Sequence, residues 1–168
     1  DVLAQHVMKS LWSRINSIIA RIGFHFAPDA VALRLRYGQA LSHQGRLAQA
    51  REVLQEAVDL NSKHAGAHFA LGSVQTSLGC LTDARISFAR ARRLEPSNPE
   101  IAFALGNIYF ECAEIDLAIR SYQGAVRLRP DYARALFNLG HAYKEKGLLV
   151  EASKAFRRAL AVEPRFYK

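Results

Sequence analysis

The stretch LGHAYKEKG at residues 139–147 returns three times in altered form, each time 34 residues earlier: LGNIYFECA at 105–113, LGSVQTSLG at 71–79 and YGQALSHQG at 37–45. The same register runs through five columns of the sequence. Gly38, Gly72, Gly106 and Gly140 lead, followed twelve residues on by Ala50, Ala84, Ala118 and Ala152. Sixteen residues after each glycine stand Leu54, Phe88, Tyr122 and Phe156; nineteen after, Ala57, Ala91, Ala125 and Ala159; twenty-four after, Ser62, Pro96, Pro130 and Pro164. A period of this length belongs to helical solenoids. One unit cannot bury its apolar face alone, whereas stacked copies share a continuous core.

Within a unit the spacing predicts two helices, A and B, joined by a short turn. In the third unit Phe103, Leu105, Ile108 and Tyr109 recur at helical spacing. Asn98-Pro99-Glu100 starts helix A: Asn as N-cap, Pro at the first helical position, an acid at the positive end of the dipole. Gly106 and Ala118 let helix A approach helix B, Ala125 does the same toward the next helix A, and Pro130 stops helix B. Gly147 ends helix A of the fourth unit so that the chain turns. Composition agrees: 168 residues, half of them apolar, rich in Ala, Leu and Arg, without long Val/Ile/Thr alternation.

The sequence Leu-Gly, then Tyr, Gly, Ala, aromatic, Ala and Pro at a period of 34 resembles the tetratricopeptide repeat over about residues 31–166. The resemblance implies an all-α, right-handed superhelical solenoid of helix-turn-helix units at 31–64, 65–98, 99–132 and 133–166. The first unit departs most, with Arg34 where the family often has Trp, Tyr37 for Leu and Ser62 for Pro. Residues 1–30 are expected to form an amphipathic or capping helical segment, with 12–27 as helix B of a worn preceding unit; Pro28 continues the Pro column. The chain begins at Asp1 rather than Met, so a partial or processed form is expected. A fifth unit would begin near Tyr167, and the last helix B is expected to leave an apolar face open.

The resemblance also places a partner-binding groove on the concave face, lined by fixed positions of helix A. In this chain it implies Arg36 and Gln39 in the first unit, Phe69 and Ser73 in the second, Phe103, Asn107 and Phe110 in the third, and Arg134, Phe137, Asn138, His141 and Lys144 in the fourth. Phe69, Phe103 and Phe137 form an aromatic column that is either an apolar trough or packing between helices. Asn107 and Asn138 resemble the family's ladder of amides that holds an extended peptide. Replacing both with Ala is expected to weaken a partner without unfolding the array. The family's carboxylate clamp is not expected, because Phe103 stands where it needs Lys.

The reading is therefore a non-enzymatic interaction scaffold that binds a peptide or helix of a partner protein. Two alternatives stand beside it: a substrate-recognition arm of a larger enzyme of sugar-transferase or sulfotransferase type, and a membrane- or organelle-associated scaffold that self-assembles through its repeat ends or N-terminal helix. No catalytic set, cofactor motif or phosphate loop is recognisable. His64 and His68 lie four apart on one face, but no third metal ligand accompanies them, and they read as surface histidines. Cys80 and Cys112 are too far apart in the stacked units for a disulfide. The net charge of +8 concentrates in the fourth unit, and Arg90, Arg92, Arg93, Arg157 and Arg158 read as a solvated outer face. Nucleic acid is not the expected partner, since the aromatics lie on helix A. A membrane surface contacted through residues 1–27, with Trp12 and Phe24, is the expected route to a peripheral location; otherwise the chain is expected to be cytoplasmic.

Overall fold

The glycine columns govern the packing in a computed structural model, which describes residues 27–164. Eight helices follow one another: α1 (Ala27–His43), α2 (Leu47–Leu60), α3 (Ala65–Ser77), α4 (Leu81–Leu94), α5 (Pro99–Glu111), α6 (Ile115–Leu128), α7 (Ala133–Glu145) and α8 (Leu149–Val162). They pair as four hairpins, α1–α2 to α7–α8, and each second helix packs on the first helix of the next hairpin. The result is a right-handed superhelical solenoid with no strand among the described residues. The seam between α4 and α5 is packed more sparsely than those at α2–α3 and α6–α7.

Each leading glycine marks a near-touch. A Cβ built on Gly106 would sit 2.5 Å from the Tyr122 ring, one on Gly140 2.6 Å from Phe156, one on Gly72 2.9 Å from Phe88, and one on Gly38 2.6 Å from Leu54. No side-chain carbon fits there, so these positions admit only glycine while the large residue sixteen positions on stays put. The small-residue columns complete the contact: Ala50, Ala57, Ala84, Ala91, Ala118, Ala125 and Ala159 are fully buried.

The turns are equally regular. Gly45, Gly79 and Gly147 have φ of 75°, 76° and 79°, and Ala113 holds the same place with φ 58°. Each closes a Schellman motif; at Ala113, its own N–H donates to the Phe110 carbonyl (3.0 Å) and Glu114 N–H donates to that of Tyr109 (2.8 Å). Asn98 caps α5 by accepting from Glu100 N–H at 3.0 Å, with Pro99 at the first helical position, as its sequence predicts.

Several positions differ from expectation. Helix α1 begins at Ala27, so Pro28 lies in its first turn instead of closing an earlier helix; a proline is tolerated there because the first-turn N–H groups have no intrahelical partner. The expected helix over 12–27 falls almost wholly outside the described residues. Arg34 fills a core position: it is buried, and its guanidinium bonds Glu56 at 3.0 Å and the Ala30 carbonyl at 3.4 Å. His64 and His68 are structural rather than free surface groups. His64 Nδ1 caps α3 by accepting from Ala67 N–H (3.0 Å), and His68 is buried with Nε2 2.9 Å from the Ser62 carbonyl oxygen. Both cysteines are free.

Candidate functional site

The first helices of the third and fourth hairpins carry alternating apolar and amide side chains, and the stacking brings part of that set together. Asn107, Phe110 and Glu111 from α5, Tyr122 from α6, and Asn138 and His141 from α7 line a pocket of about 240 Å³. Its floor is a hydrogen-bonded triad. The Tyr122 hydroxyl donates to Asn107 Oδ1 at 2.8 Å, and Asn138 Nδ2 donates to the same oxygen at 2.9 Å. With both lone pairs of Asn107 Oδ1 engaged, Asn107 Nδ2 and Asn138 Oδ1 remain, one donor and one acceptor with no partner among the described residues. Burial pushes the Tyr122 hydroxyl well above the usual phenol range, so it stays a donor throughout the physiological range.

The aromatic column turns mostly inward. Phe69 meets Phe88 at 5.5 Å between ring centroids, Phe103 meets Tyr132 at 5.1 Å and Tyr122 at 5.9 Å, and Phe137 meets Phe156 at 5.5 Å. All three are half-buried and belong to the packing between helices as much as to any surface. His141 stands edge-on to Phe137 at 4.5 Å, which holds its ring beside the pocket. Arg134 lies over the rings of Phe103 and Tyr132, 5.7 Å from each centroid, as a cation–π cap outside the pocket lining. Burial pushes the Tyr132 hydroxyl up as well.

Of the twelve groove positions implied by the sequence, Asn107, Phe110, Asn138 and His141 meet in this pocket. Arg36 and Gln39 on α1 and Lys144 on α7 are exposed and line no part of it, and Ser73 donates its hydroxyl to the Phe69 carbonyl of its own helix at 3.0 Å. Tyr122 is the member that sequence reasoning assigned to stacking alone. The signal was the hydroxyl: its column otherwise holds Leu54, Phe88 and Phe156, none of which can donate to an amide. Asn107 has a second duty that its position did not reveal. Removing it orphans a buried hydroxyl, at a cost of about 1–3 kcal/mol, so a double substitution of Asn107 and Asn138 does not leave the array intact as expected.

On the outer side, α4, α6 and α8 carry no acid beyond their first turns, while Arg90, Arg93, Arg120, Arg127, Lys154, Arg157 and Arg158 are exposed. Among the described residues no group of three His, Cys, Asp or Glu is placed to hold a metal, and no helix is long and apolar enough to cross a membrane.

This architecture defines a helical-repeat scaffold, a class that binds other proteins through surfaces built on a stacked core. Within that class the chain belongs to the tetratricopeptide-repeat family. Profiles described as tetratricopeptide repeat match residues 19–65, 38–99 and 133–166, and one described as TPR repeat matches 106–147. Among solved structures the chain is similar to MamA, with 31% identity over 82% of this chain and 81% of that one and a TM-score of 0.77. It is also similar to YrrB, described as a TPR protein with an unusual peptide-binding site, at 25% identity over 78% of this chain and 68% of that one, TM-score 0.71. PilF of Pseudomonas aeruginosa, at 20% identity over 83% and 64% of the two chains and a TM-score of 0.76, shares the fold. No curated protein sequence matches the chain.

Proposed function

We propose that the chain is an interaction module whose units, 31–64, 65–98, 99–132 and 133–166, hold an extended segment of a partner protein along α5 and α7. The observation that carries this reading is the pair of unused amide groups, Asn107 Nδ2 and Asn138 Oδ1, in a pocket walled by Phe110 and His141. An extended backbone presents one carbonyl and one N–H per residue, which is the complement of such a pair. The Tyr122 bond fixes Asn107 before any partner arrives, so little ordering entropy is lost there on binding. YrrB, with its peptide-binding site, supports a peptide as the ligand class.

The test begins with peptides selected from a random library on the intact chain. Asn138→Ala is expected to weaken them about 2- to 10-fold, the effect of one neutral hydrogen bond, and Gln39→Ala to leave them unchanged. Unaltered affinity for Asn138→Ala would remove the groove assignment.

End-to-end packing is a second reading, supported by α8. Leu149, Val150 and Leu160 are 66%, 63% and 43% exposed, whereas Ile119 and Val126 on the equivalent face of α6 are covered by α7. Light scattering across a concentration series tests it; a strictly monomeric mass at every concentration excludes it.

A further inference from the structure

A second cleft, of about 300 Å³, lies between α2, α3 and α4, on a different face of α3 from Phe69 and Ser73. Its lining includes Gln55, Val58, His68, Leu71, Gln75 and Ser87. The repeat supplies an internal template for what fits it. Moving 68 residues on, Gln55, Val58 and Leu71 become Gln123, Val126 and Leu139, the same residue types. Gln75 becomes Tyr143, and 34 residues on it is Tyr109. In the fourth hairpin the Tyr143 ring packs on the core, and its hydroxyl accepts from Gln123 Nε2 at 2.7 Å.

In the second hairpin the frame is kept and the ring is missing. Gln75 is 8% exposed and turns to Ser87, whose hydroxyl donates to Gln75 Oε1 at 2.7 Å. That leaves Gln75 Nε2, a buried carboxamide's donor, lining the cleft without a partner among the described residues. Val58 and Leu71 offer the apolar walls that Val126 and Leu139 offer in the fourth hairpin. Gln55, the counterpart of Gln123, is exposed and bonds only the neighbouring Asp59, at 2.8 Å.

We infer that this cleft receives the phenol ring of a tyrosine side chain from a partner protein, with Gln55 donating to the phenol oxygen as Gln123 donates to Tyr143. The site is separate from the Asn107 pocket and does not depend on the groove reading. The volume admits a phenol with part of its backbone. A phenylalanine fills the walls but leaves Gln55 and Gln75 unanswered, so the cleft discriminates by the hydroxyl.

The test is an amide-resolved NMR titration of the whole chain with N-acetyl-tyrosinamide, N-acetyl-phenylalaninamide and free tyrosine, each to about 10 mM, ten times a millimolar dissociation constant. The tyrosinamide is expected to give saturable shifts centred on Gln55, His68, Gln75 and Ser87, and to bind about fivefold more tightly than the phenylalaninamide, the margin of one hydrogen bond. Gln75→Tyr is expected to fill the cleft and abolish the shifts with the fold retained. Should that variant not fold, Gln55→Ala gives the second measurement: the tyrosinamide falls to the affinity of the phenylalaninamide, which itself does not change. Absence of saturable shifts, equal affinity for the two amides, or shifts that survive in folded Gln75→Tyr would overturn the proposal. Tighter binding of free tyrosine than of its capped amide would overturn the partner chain as the source of the ring.

Discussion

Ala113 occupies a turn position that glycine fills in the other three hairpins. Its φ of 58° lies in the left-handed region, where Gly45, Gly79 and Gly147 have φ between 75° and 79°. A left-handed conformation costs an L-residue about 1–2 kcal/mol relative to glycine. Replacing Ala113 with Gly relieves that strain, while the freer unfolded chain gives back about 0.4–1 kcal/mol. Ala113 is exposed, so its methyl group forfeits no packing when it is removed. Ala113→Gly is therefore expected to stabilise the array by about 0.5–1 kcal/mol, the difference between those terms. The reverse exchange, Gly147→Ala, meets nothing within 4 Å of the new carbon, so conformational strain alone acts. It should destabilise by a similar amount. Urea unfolding followed by circular dichroism reads both: the midpoint rises for one and falls for the other at constant slope. The reasoning fails if Ala113→Gly is neutral or destabilising while Gly147→Ala is tolerated.

Other consequences follow from the packing. Gly106→Ala places a carbon 2.5 Å from a Tyr122 ring whose hydroxyl is tied to Asn107, and is expected to cost about 2–3 kcal/mol. Gly124→Ala meets only Arg92 Nη2 at 3.7 Å inside α6 and is expected to raise the melting temperature, with a gain of up to about 1 kcal/mol from helix propensity. Because Tyr122 has a raised folded-state pKa, the unfolded chain loses that proton first, and stability falls as pH rises above about 10, the unperturbed phenol value. Denaturation midpoints measured on both sides of that pH should fall less steeply for Tyr122→Phe; an identical slope removes Tyr122 from the titration.

The array was legible in the sequence because each column repeats the same steric demand. Gly106 opposite Tyr122 and Gly140 opposite Phe156 are one contact made twice, so a pattern in letters is a pattern in space. Departures from the columns were harder to read. Arg34 sits where the pattern calls for a large apolar residue, and only the fold shows Glu56, 22 positions away, in reach of it. His64 and His68 have metal-like spacing, yet their partners are backbone groups, which no side-chain motif encodes. The amide ladder was half legible: position suggested that Asn107 and Asn138 face a ligand, but their mutual bond and the Tyr122 hydroxyl depend on distances between helices. Gln75 carried no signal as a single letter. It acquires meaning only when Tyr143 and Gln123 show what its column holds elsewhere.

The thinner seam between α4 and α5 divides the molecule in two. The cleft at Gln75 lies wholly before it and the pocket at Asn107 wholly after it. Each half keeps its own site when the pitch of the superhelix changes, because neither site borrows a side chain from the other half. What such a change alters is the bearing of one site on the other. Arg85 reaches across that divide to Glu114 at 3.1 Å, a surface ion pair that salt weakens. Ionic strength therefore acts as a tuning peg on the angle between two otherwise rigid grips.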